Sequence, residues 1–110
     1  MPTDEAVLLY VTADSKEEAL EIGRTLVQEK LVACANILDN MTSVFSWQGR
    51  VSTGQEAVLL LKTSRRRVEE VTARITDLHS YEVPCVVALT ASGGNEEFLS
   101  WILESCQPPE

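Results

Sequence analysis

Apolar positions along the chain change period several times, and each change marks an element. Ala6-Val7-Leu8-Leu9-Tyr10-Val11-Thr12-Ala13 is a near-continuous apolar run, which predicts a strand buried on both faces. Ser15 with Glu18 forms a capping box that opens a helix. Ala19, Ile22, Gly23, Leu26 and Val27 recur at i, i+3, i+4, i+7 and i+8, so this helix carries one apolar stripe to about Lys30. Two strand-like arms follow. The first runs from near Leu31 to Trp47, with a bulge or bend at Asp39-Asn40, and the second from Val51 to Lys62. They fold about Gln48-Gly49-Arg50, where Gly49 supplies the positive φ of a tight turn.

An arm of about a dozen residues at ~3.3 Å each spans roughly 40 Å. A compact domain of this size has a radius of gyration of only ~13 Å. The hairpin therefore overhangs its own core. Its tip carries Phe45, Trp47 and Val51, and exposed strand edges with aromatic side chains invite another chain. These three residues are the expected oligomer interface.

Thr63-Ser64 are expected to cap a second helix, whose stripe Val68, Val71, Ile75 and Leu78 ends near His79. Pro84 stops helical continuation and biases Val83 towards extended backbone. Val86–Ala91 reads as a fourth strand, and Gly93-Gly94-Asn95 as a loop in which Asn95 caps a last helix over Glu96–Leu103. Trp101 is expected to face the sheet beside Phe98, and Pro108-Pro109 to end the ordered chain. The order β-α-β-β-α-β plus a terminal helix predicts an α+β fold, a ferredoxin-like sandwich with both main helices on one sheet face. No repeat or linker divides it, so residues 1–110 form a single domain.

Charge narrows the function classes. The net charge of −8 over 110 residues disfavours nucleic acid and anionic membranes, which both need a positive field. The opening Met1-Pro2-Thr3-Asp4-Glu5 is acidic where a secretory signal is basic, and no apolar run approaches the ~20 residues of a membrane helix. Three cysteines, Cys34, Cys85 and Cys106, lack C-x-x-C spacing. An odd set argues for reduced thiols and a cytoplasmic location.

Few residues offer chemistry. His79, the only histidine, reads first as a capping side chain and second as a base or ligand. One histidine makes no closed zinc site. Cys34 reads as a small buried strand residue with no basic neighbour in sequence to activate it. Lys62, Arg65, Arg66 and Arg67 form the basic cluster, a solvated or salt-bridged face that could alternatively hold a phosphate or carboxylate. No triad order or paired carboxylates stand out.

Together these residues resemble a known family. Leu31-Val32-Ala33-Cys34-Ala35-Asn36, Ser43 to Gly49, Glu56, Lys62-Thr63, His79 to Pro84 and Phe98 to Ile102 are similar, in order and spacing, to the CutA divalent-cation-tolerance proteins. The resemblance implies a cytoplasmic homotrimer, PII-like in architecture, non-enzymatic, with a role in tolerance to copper and other divalent metals. It implies a ligand cleft between subunits bearing Cys34, Glu56, Lys62, His79 and Tyr81. Family copper ligands map to Val11, Leu78 and His79, of which only His79 keeps a donor side chain. Ser80 and Cys85 stand where the family pattern has proline and glutamate. A structural scaffold, and an enzyme using His79 with Tyr81 and Lys62, are the competing expectations.

Overall fold

β1 (Ala6–Ala13) lies inside a four-stranded antiparallel sheet of order β2-β3-β1-β4, in a computed structural model that describes residues 4–107. The other elements are α1 (Lys16–Gln28), β2 (Cys34–Trp47), β3 (Arg50–Ser64), α2 (Val68–Leu78), β4 (Val86–Thr90) and α3 (Glu96–Ser105). Pro108-Pro109 lies outside the described residues.

Alternation along the strands sets the core. Val7, Leu9, Val11 and Ala13 of β1 and Ala57, Leu59 and Leu61 of β3 are buried against Ala19, Ile22 and Leu26 of α1 and Val71 and Ile75 of α2. The even positions of β1 do not share that burial: Leu8 and Tyr10 are only partly covered. The expectation of a strand buried on both faces is thus half met, because both main helices pack on one face. α3 closes one end of the other face through Ile102 and Cys106, which are buried with Ala6. The rest of that face stays open.

The hairpin overhangs as expected. The molecule measures 46 × 26 × 23 Å. β1 pairs with β3 only as far as Ala13↔Ala57, so beyond that point β2 and β3 form a two-stranded ribbon. Gln48 (φ 50°) and Gly49 (φ 79°) make the turn, both in the left-handed region that a mirror-image hairpin turn requires. The bulge falls between Leu38 and Met41, where two residues of β2 oppose one of β3. It moves the open-face set of β2 from Cys34, Asn36 and Leu38 to Met41, Ser43, Phe45 and Trp47.

Three boundaries differ from expectation. β2 starts at Cys34, because Lys30 takes a left-handed conformation (φ 60°) and the Leu31 and Val32 amides fold back onto the Leu26 carbonyl. Thr63 and Ser64 cap nothing. They remain in β3, paired with Val7 and Ala6, and the Thr63 hydroxyl donates to the Leu31 carbonyl at 2.7 Å. A 3-10 turn, Arg65–Arg67, then precedes α2. Trp101 does not face the sheet. It is 43 % exposed and stacks with the equally exposed Phe98 at 5.4 Å, while Ile102 takes the buried position. Asn95 does cap α3, accepting from the Phe98 amide.

Candidate functional site

The five residues expected in one cleft form two polar corners. Both corners use β3, on which Glu56 and Lys62 share the open face but stand six residues, roughly 20 Å, apart.

The first corner centres on Lys62, which pairs across the ladder with Cys34. Its ammonium donates to Asn36 Oδ1 at 2.9 Å and to Cys34 Sγ at 3.8 Å, and lies 5.4 Å above the Phe98 ring. Cys34 therefore has the basic neighbour that its sequence surroundings lack. Cross-strand register supplies it, twenty-eight residues away. Asn36 also belongs here. Its position two residues beyond Cys34 put it on the same face, a signal readable in the sequence.

The second corner centres on Glu56. Its Oε1 accepts from Ser43 Oγ at 2.6 Å and its Oε2 from the Tyr81 hydroxyl at 3.0 Å. Burial, and then this carboxylate, push the Tyr81 phenol up to about 12. Ser43 reaches Glu56 only because of the bulge. His79 caps α2 beside Tyr81, with ring centroids 4.7 Å apart. The Tyr81 amide, which can only donate, lies 3.0 Å from Nδ1, so Nδ1 accepts and Nε2 carries the hydrogen given to the Thr12 carbonyl at 2.7 Å. Both ring nitrogens are engaged with main chain.

Glu18 braces this loop from α1. Its carboxylate accepts from the Asp14 amide at 3.0 Å and the Ser80 amide at 2.8 Å. Burial alone would raise its pKa, but the hydrogen bonds from Ser80 and Asp14 together outweigh burial and hold it below the ordinary carboxylate range. The basic cluster is consumed within the chain: Arg65 pairs with Glu5, Arg66 with Asp4 and Arg67 with Glu70.

Large apolar side chains remain uncovered between and beyond the two corners. Leu38, Val87 and Leu89 are half exposed or more, as are Val44, Trp47 (64 %) and Val51 of the ribbon. An α+β sandwich with an open apolar sheet face, polar corners and an overhanging ribbon is the class of protein these features define.

Residues 7–105 match the CutA1 divalent ion tolerance protein family, and the chain belongs to it. The divalent-cation tolerance protein CutA of Thermus thermophilus is 42 % identical over 102 residues, covering 93 % of this chain and 97 % of its own. Its crystal structure superposes with a TM-score of 0.88 over 96 % of this chain and all of its own, at 41 % identity. A structure from Archaeoglobus fulgidus, described as periplasmic, gives 0.89 at 36 % identity over 93 % of this chain and 99 % of its own. The chloroplastic CutA of Arabidopsis thaliana is 36 % identical over 94 % of this chain, which spans only 57 % of that protein's length.

The positions that resemblance assigns to copper do not fit a metal ion here. Val11 is wholly buried in the core, Leu78 packs against it, and His79 has no free nitrogen. Among the described residues no group of three or more His, Cys, Asp or Glu side chains could hold a metal ion.

Proposed function

We propose that this protein is a cytoplasmic homotrimer that takes a small ligand in clefts between subunits. Each cleft combines the Lys62–Cys34–Asn36 corner of one chain with the Glu56–Tyr81–His79 corner of the next. Its part in divalent-cation tolerance, copper included, runs through ligand binding in that cleft and not through a metal centre inside one chain. The observation that carries this reading is the pair of ordered polar corners on one open, largely apolar sheet face. Each corner is too sparse alone to surround a ligand, and the ribbon extends far enough to bring a neighbour's face against it. Cyclic assembly repeats one such contact at every interface. The three free thiols support the cytoplasmic assignment. No reaction is assigned to His79, whose two hydrogen bonds to main chain orient the 79–81 loop and leave neither nitrogen to move a proton.

Sedimentation equilibrium at micromolar concentration tests the assembly. A single species of three times the monomer mass is expected. A single monomeric species overturns the trimer and the shared cleft with it.

A further inference from the structure

Between α3 and the sheet runs a groove of about 260 Å³. Leu8 and Leu89 form its floor and Phe98, Leu99 and Ile102 its opposite wall, and Lys62 is the only charged side chain lining it. All of these residues belong to one chain. None of the ion pairs among the described residues includes Lys62, whereas Arg65, Arg66, Arg67 and Arg74 each hold a carboxylate. In a chain of net charge −8, this ammonium is held by an amide oxygen, a thiol and an aromatic face instead. An ammonium has three hydrogens, and two of them have a polar partner here. The amide hydrogens of Asn36 point to no acceptor among the described residues and add donors beside it.

We propose that this groove binds amphipathic monoanions, a carboxylate head on Lys62 and Asn36 with a short unbranched hydrocarbon tail between Leu8, Leu89, Leu99 and Ile102. The proposal deepens the small-ligand reading by naming the ligand class, and it rests on that reading. Charge complementarity selects the occupant. A neutral apolar segment from a second copy would cover Lys62 and leave its charge without a counter-ion. A doubly charged phosphate would bring one charge more than the single cation compensates, against an apolar wall. A monocarboxylate satisfies the ammonium and leaves its tail to the leucines.

The test uses the assembled protein with methyl-labelled leucine and isoleucine, titrated by NMR with butanoate, hexanoate and octanoate, and with octan-1-ol and octylamine. Octanoate should shift Leu89, Leu99 and Ile102. The second apolar groove, between α1 and β2, supplies the control methyls of Leu20 and Ile37, which should not move. Each added methylene should tighten binding by about threefold to fourfold. Octan-1-ol should bind about tenfold more weakly or worse, because it lacks the charge-assisted bond. In Lys62→Met, octanoate and octan-1-ol should bind equally. Equal binding of both in the unmodified protein overturns the proposal, as does discrimination that survives Lys62→Met, equal movement of the control methyls, or no shift up to the solubility limit. Sedimentation on the same samples separates the two readings. A trimer that ignores octanoate overturns the ligand class alone, and a monomer that binds it overturns the assembly alone.

Discussion

The Tyr81 hydroxyl donates to Glu56 Oε2 at 3.0 Å, joining the loop after α2 to the base of the overhanging ribbon. The phenol, pushed up to about 12 by burial and by that carboxylate, keeps its proton in the folded chain beyond the ordinary tyrosine value of ~10. Between those two pH values the folded state binds more protons than the unfolded. The contribution to stability is therefore whole below about pH 10 and is lost as pH rises through about 12. Absorbance at the phenolate band should show one late-titrating tyrosine, and Glu56→Gln should advance it. An unchanged titration in Glu56→Gln would mean that the bond contributes nothing.

Glu18 behaves in the opposite sense. Its folded-state pKa is depressed, so its contribution is present above the ordinary carboxylate range and fades as pH falls below it. Ser80→Pro removes the amide hydrogen that Glu18 accepts. Carboxyl NMR titration should then place Glu18 higher than in the parent, while Ser80→Ala, which keeps the amide, should shift it less. Equal shifts in the two variants would assign the effect to the hydroxyl.

Gly23 lets α1 settle on β2. A Cβ there would meet the Ala35 Cβ at 3.0 Å, and the strand ladder prevents Ala35 from yielding. Helix propensity favours alanine over glycine by ~1 kcal/mol, but overpacking costs about 1–3 kcal/mol. Gly23→Ala should therefore lower the melting temperature, and adding Ala35→Gly should raise it again. A stabilised single variant would show that the layer has slack.

Phe45 and Trp47 are 44 % and 64 % exposed in the single chain. In the proposed trimer each gains burial contributing ~1.5–3 kcal/mol. Phe45→Ala with Trp47→Ala should lower the melting temperature and make it depend on protein concentration. An unaltered melt and an unaltered sedimentation profile would remove the ribbon tip from the interface.

Metal titration separates family membership from metal ligation. Because both nitrogens of His79 are engaged, calorimetric titration with copper or zinc should give the same isotherm for the parent and for His79→Ala. A loss of affinity in His79→Ala would show that the ring leaves its main-chain partners to take a metal.

Much of the fold can be read from period and turn chemistry. The α1 stripe, the Asn95 cap, the Gly49 turn and the bulge at Asp39-Asn40 are all set by residues within a few positions of each other. Failures came where distant partners decide. Thr63 and Ser64 have the chemistry of a cap, yet strand pairing to Val7 and Ala6 outcompetes it. α3 is apolar nearly all round, so its sequence does not say whether Trp101 or Ile102 turns inward. Candidate residues were found, but their grouping was not. The neighbours of Cys34 and Glu56 come from registers that one-dimensional spacing does not contain.

The extra residue at Asp39-Asn40 acts as a parity bit for everything downstream of it on β2. Side chains alternate across a strand, so deleting one of these two residues would leave the turn and the ribbon in place but exchange their faces. Ser43 would turn away from Glu56, and Phe45 and Trp47 would move to the opposite side of the ribbon, with Val44 taking their place. A single in-frame codon lost at this point inverts which surface the molecule offers to others, although every side chain of the site is still encoded.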